Sequence, residues 1–238
     1  AIIALIISFI IGPWIIHILQ KKQIGEEIHQ RGPESHMKKR GTPTMGGVII
    51  LTAVLLPTLL LAKLNNPLVQ IIIFATLWMG LIGFIDDYLK VVKKLSLGLI
   101  ARYKLVGQIF LGCIVSYWIF QIPDYIDIST KTTVPFFKNV ELDLGFLYPI
   151  MVILVITGTS NAVNLTDGLD GLLAGLLAIS FSVFSAITYI TGRFDFSDYL
   201  NILYIPNAGE LTIFTSAMAG ACIGYLWFNS HPAEVFMG

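Results

Sequence analysis

The sequence predicts an all-α, polytopic membrane helix bundle, and three observations lead there. Of the 238 residues, 55% are hydrophobic and only 13% charged, with a mean hydropathy of +0.79. A soluble domain carries about 25% charge, because its surface must face water. The apolar residues fall in unbroken runs of the roughly 20-residue length that carries a helix across the hydrocarbon core, not in the alternation of barrel strands. The 15 Lys and Arg cancel the 15 Asp and Glu, so no net basic field exists to attract nucleic acid.

Seven runs predict spans at about 1–19, 45–62, 67–85, 105–122, 146–163, 171–191 and 210–228. Only helices and closed barrels satisfy their own backbone in lipid, which makes each run a helix. The first lacks the basic flank of a secretory signal and predicts a first span entered partway. Basic residues then orient the helices. Lys21, Lys22, Arg31, Lys38, Lys39 and Arg40 fall in one connection and Lys90, Lys93, Lys94, Arg102 and Lys104 in another, leaving only Lys63, Lys131, Lys138 and Arg193 for the opposite side. The positive-inside rule places the rich connections in the cytoplasm, with residue 1 outside and Gly238 inside. The connection 123–145, with Pro123, Pro135 and Gly145, predicts a structured external loop with a short hairpin. Cys113 and Cys222 lie in apolar runs and read as core thiols. No repeat or second composition divides residues 1–238, which form a single transmembrane domain.

Four polar clusters interrupt this pattern, all on the predicted cytoplasmic side. Asp86-Asp87 ends the third span. Carboxylates at a membrane edge are functional candidates, although a solvated helix end balanced by Lys90, Lys93 and Lys94 is the blander reading. Asn161 to Gly171 holds two acids, asparagines and glycines but no cation. Asp167 and Asp170, three apart, share a face if helical, and Thr166 or Asp167 could instead cap the following helix. Gly32-Pro33-Glu34-Ser35-His36 and Lys38 to Gly47 combine cations, hydroxyls and flexible backbone, which suits phosphate oxygens; an ordinary lipid-headgroup loop is the alternative. Asn229 to Gly238 closes the last span. No P-loop and no GxGxxG occurs. Carboxylates beside cations and phosphate-suited loops point to metal-assisted phosphoryl chemistry, with Mg²⁺ neutralising charge on phosphate oxygens.

Gly32–His36, Gly41-Thr42-Pro43-Thr44-Met45-Gly46-Gly47, Asp86-Asp87-Tyr88, Asn164-Leu165-Thr166-Asp167-Gly168-Leu169-Asp170-Gly171 and His231-Pro232-Ala233-Glu234-Val235-Phe236-Met237-Gly238 resemble the MraY family, the phospho-N-acetylmuramoyl-pentapeptide transferases of the polyprenyl-phosphate N-acetylhexosamine-1-phosphate transferase superfamily. The resemblance covers essentially the whole chain in the family's order, and Val134-Pro135-Phe136-Phe137-Lys138 is similar too. It implies a ten-helix fold with a cytoplasmic active site in the bacterial inner membrane. It implies transfer of phospho-MurNAc-pentapeptide from UDP-MurNAc-pentapeptide to undecaprenyl phosphate, giving lipid I and UMP with Mg²⁺ as cofactor, and it allows a homodimer.

The resemblance also implies residue roles. Asp86 would be general base or nucleophile near the lipid phosphate and a metal ligand, with Asp87 beside it. Asn164 and Asp167 would line the nucleotide and diphosphate region. Gly168, Leu169 and Asp170 would form the uracil pocket, and Phe236 would stack on the ring. Lys39, Thr44 and Asn229 would contact nucleoside or phosphates, while Lys90, Lys94 and Arg102 would supply positive charge. Attack of the lipid phosphate on the β-phosphate, with Asp86 as base, is the favoured route; a phospho-Asp intermediate is the other. In the family a metal-binding Asp and further spans follow the motif that ends here at Gly238, so the chain is expected to be a fragment, inactive on its own. A GlcNAc-1-phosphate transferase shares the acidic motifs. An ion-coupled transporter does not fit, because its site would lie at the bilayer midplane on broken helices.

Overall fold

The computed structural model describes residues 1–21, 42–93, 98–133 and 141–238. Its helices are α1 (Ile2–Lys21), α2 (Gly47–Leu61), α3 (Pro67–Val91), α4 (Ala101–Phe120), α5 (Tyr148–Thr166), α6 (Leu172–Thr191), α7 (Phe194–Leu200) and α8 (Leu211–Asn229). Six of the described helices are long and apolar enough to cross a membrane, making this an all-helical, multi-pass membrane fold. A two-stranded antiparallel ladder, β1 (Lys131–Thr133) with β2 (Glu141–Asp143), joins Lys131 to Asp143 and Thr133 to Glu141. That is the hairpin the turn residues predict.

Three boundaries differ from the hydropathy runs, each for a physical reason. The predicted span 45–62 contributes the 15-residue α2, about 22 Å of helix. It starts late because Met45 adopts a left-handed φ of 74° and the backbone before it pairs with another segment. α3 continues past Asp86-Asp87 to Val91; Asn66 caps it by accepting from the Leu68 N–H at 2.9 Å, and Pro67 supplies a preset first turn. α4 begins at Ala101, which brings Arg102 and Lys104 into its first turn.

In lipid, apolar side chains gain little by leaving one another's neighbours, so helix contact depends on close backbone approach through small residues. α1 and α8 meet in this way. Gly220 and Gly224 face α1: a Cβ on Gly224 would lie 2.7 Å from the Ser8 Cβ, and one on Gly220 would run into the Ala1 carbonyl. α2 and α6 complete this first core, with Ile49, Val54, Ala174, Cys222 and Tyr225 buried in it. Cys222 is thus a core thiol as predicted, whereas Cys113 is exposed on α4. A second core joins α3 to α4 through Ile71, Leu111, Val115 and Ile122. α5 has no buried residue.

The helix ends sort into two faces. At one, the Lys63 N–H donates to Glu210 at 3.1 Å, Asn66 donates to the Asn207 carbonyl at 2.9 Å and the Tyr125 hydroxyl donates to the Pro206 carbonyl at 2.5 Å. Burial pushes the Tyr125 hydroxyl up to about 12, which keeps it a donor. At the other face lie Asp86-Asp87, the Asn161–Gly171 segment, residues 42–47 and the Asn229–Gly238 segment.

Replacing Gly224 by Leu should overpack the α1–α8 crossing by about 1–3 kcal/mol, lowering the apparent melting temperature by roughly 2–10 °C. Gly158→Ala, at a position where an added Cβ meets nothing within 4 Å, should leave it unchanged or slightly raised. Thermal unfolding of both variants in detergent checks the pair.

Candidate active site

Asp86 is the twentieth residue of α3, about 29 Å along it from Pro67, which places the carboxylate near the edge of the hydrocarbon core. Only 6% of the residue is exposed, and an anion so placed needs charge partners. It has them. Lys90, one turn on, approaches Oδ2 at 2.9 Å, and Lys104 from α4 approaches the same oxygen at 2.6 Å. Oδ1 accepts from the Leu99 N–H at 2.7 Å. The preceding Gly98 has φ +57°, and a Cβ there would lie 2.5 Å from Oδ1, so this approach requires glycine. One carboxylate therefore ties the end of α3 to the turn before α4 and to α4 itself.

The segment 230–238 folds back over the end of α8. The Glu234 N–H donates to the Phe228 carbonyl at 2.8 Å, and Asn229 donates through Nδ2 to the Val235 carbonyl at 2.9 Å. The strap then pairs with the approach to α2: the Phe236 N–H donates to the Pro43 carbonyl at 2.9 Å, the Gly46 N–H to the Phe236 carbonyl at 2.8 Å and the Gly47 N–H to the Met237 carbonyl at 2.9 Å. A Cβ on Gly46 would strike the Phe236 carbonyl at 2.7 Å. At its end the strap reaches Asp87, whose carboxylate would collide with any side chain at Gly238. Two motifs nearly 200 residues apart thus form one backbone ladder beside the Asp pair.

Asp167 to Asp170 forms a turn between α5 and α6, not helix, so the shared helical face expected for the two acids does not form. Gly171 ends the turn with φ +77°, and α6 begins there without a side-chain cap from its N-cap residue, so Thr166 is not spent on capping. Thr166 instead donates back to the Ala162 carbonyl at 2.8 Å. The Gly171 N–H donates to the Asn229 Oδ1 at 3.1 Å, and Asp170 Oδ2 meets His231 Nδ1 at 3.1 Å.

A polar cavity of about 250 Å³ opens among these segments, lined by Asp86, Asp87, Lys104, Gln108, Asn164, Asp167 and Gly238 among others. A larger groove of about 620 Å³ is lined, among the described residues, by apolar side chains and Tyr88, so the smaller cavity is the one whose described lining suits anions. Of the residues predicted from sequence, Asp86, Asp87, Asn164 and Asp167 line the cavity, and Lys90 reaches it through Asp86. Thr44 and Asn229, each 3% exposed, and Phe236 belong to the ladder and strap. Gly168 and Leu169 lie on the turn, with Leu169 exposed. Arg102 lies over the ring of Tyr103, 5.7 Å from its centroid, and does not line the cavity. Lys39, Lys94, Gly32–His36, Lys38–Gly41 and Val134–Lys138 lie outside the described residues.

Asp86, expected as a metal ligand, has both oxygens engaged by Lys90, Lys104 and Leu99. Among the described residues no group of three or more His, Cys, Asp or Glu forms a ready-made metal cage. Mg²⁺ does not require one, since it takes one or two carboxylates together with substrate phosphates, and Asp87, Asp167 and the Asn164 carboxamide offer hard oxygen donors around the cavity. By sequence Lys104 is only one of the loop charges, and Gln108 carries no assigned role. A cation and an amide one turn apart at the head of an apolar helix carried a legible signal, but pairing with Asp86 depends on the turn between.

Glycosyl transferase family 4 matches residues 69–238, and signature 1 of the phospho-N-acetylmuramoyl-pentapeptide-transferases matches residues 39–51. Over 238 residues the chain is 51% identical to a phospho-N-acetylmuramoyl-pentapeptide-transferase of Chloroherpeton thalassium, covering all of this chain and 64% of that protein. It is 46% identical to one from Desulfotalea psychrophila, covering 66% of it, and 48% identical over 237 residues to one from Citrifermentans bemidjiense, covering 65%. The chain spans a little under two thirds of the length of these curated relatives.

A double-mutant cycle on Asp86→Asn and Lys104→Met, read by thermal stability in detergent, should give a coupling of about 1–3 kcal/mol. The same cycle on the exposed Lys63–Glu210 pair, 3.5 Å apart, should give about 0–1 kcal/mol.

Proposed function

The chain belongs to glycosyl transferase family 4, and from that premise we propose that its cavity transfers phospho-MurNAc-pentapeptide from UDP-MurNAc-pentapeptide to undecaprenyl phosphate, forming lipid I and UMP. The observation that carries this reading is the convergence of Asp86, Asp87, Lys104, Asn164 and Asp167 on one cavity at a membrane-edge face. A lipid-borne and a nucleotide-borne phosphate can both reach such a place. The muramoyl signature at residues 39–51 favours this donor over UDP-GlcNAc. The cavity face is cytoplasmic and the membrane the bacterial inner one, in keeping with the basic connections on that side.

A non-bridging oxygen of the lipid phosphate attacks the sugar-side phosphorus. The bond from that phosphorus to the bridging oxygen breaks, and UMP leaves with the oxygen and its electron pair. A phosphate monoester loses its second proton near pH 6, so the attacking group is largely dianionic at pH 7 and needs only a weak base. Asp86, held by two ammonium groups and an N–H, serves to fix Lys90 and Lys104, whose charges draw the diphosphate into place. Asp87 and Asp167 take the roles nearest the reacting phosphates. Asp87, Asp167 and the Asn164 carboxamide would hold Mg²⁺, which when bound would neutralise phosphate charge. Asn229 acts from behind: its amide joins the Gly171 end of the acidic turn to the strap at Val235 and so places Asp170 and Phe236 for the uracil.

In the full-length chain, Asp87→Asn and Asp167→Asn should each lower kcat for UMP release by about 100-fold or more, and chelation by EDTA should abolish turnover until Mg²⁺ is restored. Near-normal rates in both variants would contradict the assignment, and faster turnover of UDP-GlcNAc than of UDP-MurNAc-pentapeptide would move the reading to the neighbouring transferases.

A further inference from the structure

Resting on that reading of the cavity, we propose that Gln108 is a positioning residue: its carboxamide keys α5 to α4 and so sets Asn164 and Asp167 against Lys104 and Asp86. Gln108 is 4% exposed within an apolar membrane helix, where a primary amide is costly unless its polar atoms are met. They are met across the helix interface. Nε2 donates to the Ser160 hydroxyl at 3.1 Å, and Oε1 accepts from Asn161 Nδ2, also at 3.1 Å. Asn161 donates in addition to the Thr157 carbonyl at 2.7 Å, which fixes its own rotamer. An amide used at both ends on one partner helix reads that helix's register, because a one-residue slide or rotation of α5 breaks both contacts together.

A second contact one turn away fixes the depth of approach. A Cβ on Gly112 would lie 2.7 Å from the Ile153 Cγ1 and 3.0 Å from its Cα, so the two backbones pass closely there. α5 has no buried residue and meets the α3–α4 core only through partly buried side chains such as Val152 and Ile156, so apolar packing alone holds its rotation about its axis weakly. Helical spacing transmits the register. Lys104 precedes Gln108 by four residues, and Asn164 follows Ser160 by four, so each shares a face with its end of the clamp. Asp167 comes immediately after α5 ends. Displacing reacting groups by about 1 Å is enough to cost 100-fold in rate, and the Gln108 clamp is what holds this spacing.

The test uses the full-length chain in proteoliposomes. Gln108→Leu should lower kcat for UMP release by about 10- to 100-fold while leaving KM for UDP-MurNAc-pentapeptide within about twofold. Gln108→Asn should lower kcat in the same way, and adding Asn161→Gln, which restores the combined reach of the two amides, should recover it to within about threefold. Unchanged kcat in Gln108→Leu, a rise in KM alone, or no recovery in the exchanged pair would each overturn the proposal. Pulsed spin-label distances between positions 106 and 165, both exposed, report the α4–α5 register without turnover. They should broaden in Gln108→Leu, and an unchanged distribution would overturn the clamp. Wild-type chain that releases no UMP would defeat the functional reading, while the spin-label measurement would still decide the clamp.

Discussion

A carboxylate at the margin of the hydrocarbon must bring its counter-charges with it, and the arrangement of this protein's polar face follows from how Asp86 does so. Lys90 comes from the same helix, at the i+4 spacing that helices favour. Lys104 must come from another helix, and Leu99 must turn its N–H inward. To deliver both, the chain leaves α3, turns left-handed at Gly98 and starts α4 three residues later. α4 then carries Gln108 into the α5 interface, and α5 carries Asn164 and the acidic turn. Ion pairing at one residue thereby organises three helices around a cavity.

The strap supplies the other wall. A ladder of main-chain bonds between 43–47 and 236–237 joins the first and last parts of the chain, and Asn229 joins the strap to the turn at Gly171. Backbone pairing is well suited to this place, because strand-like N–H and C=O groups at a membrane edge need partners that water supplies only in part. Two carboxamides, Gln108 and Asn229, thus anchor the two ends of the acidic segment. The glycines of the motifs follow from the same crowding: at Gly46 and Gly238 a side chain would occupy the space of a carbonyl or of the Asp87 carboxylate.

Among the described residues, hydropathy alone located every long helix, because a run of about 20 apolar residues has one solution in lipid. The ends were less legible. Asp86-Asp87 looks like a helix terminus by charge, yet α3 runs on to Val91 because Lys90 neutralises Asp86 from within the helix. Residues 45–46 are apolar or small enough to extend α2, but Met45 turns left-handed and the Gly46 N–H is committed to the strap, a partner nearly 200 positions away. Separation along the chain also hid the Lys104–Asp86 pair, 18 positions apart, and the Asp170–His231 contact, 61 apart. A single sequence shows which residues can carry charge, whereas their meeting depends on a left-handed glycine and on folding back at the end of α8. The grouping of Asp86, Asp87, Asn164 and Asp167 was readable because polar residues in so apolar a chain have few places to go.

The central claim is that the acidic turn and the strap close over one shared cavity, and short-range cross-linking tests it most directly. With Cys113 replaced by Ala, cysteines at positions 170 and 231, whose native side chains lie 3.1 Å apart, should be joined rapidly by dibromobimane in intact membranes, while a pair at 231 and the opposite-face position 207 should not react. Failure of the 170–231 pair to cross-link, with each single cysteine still labelled, would contradict the account.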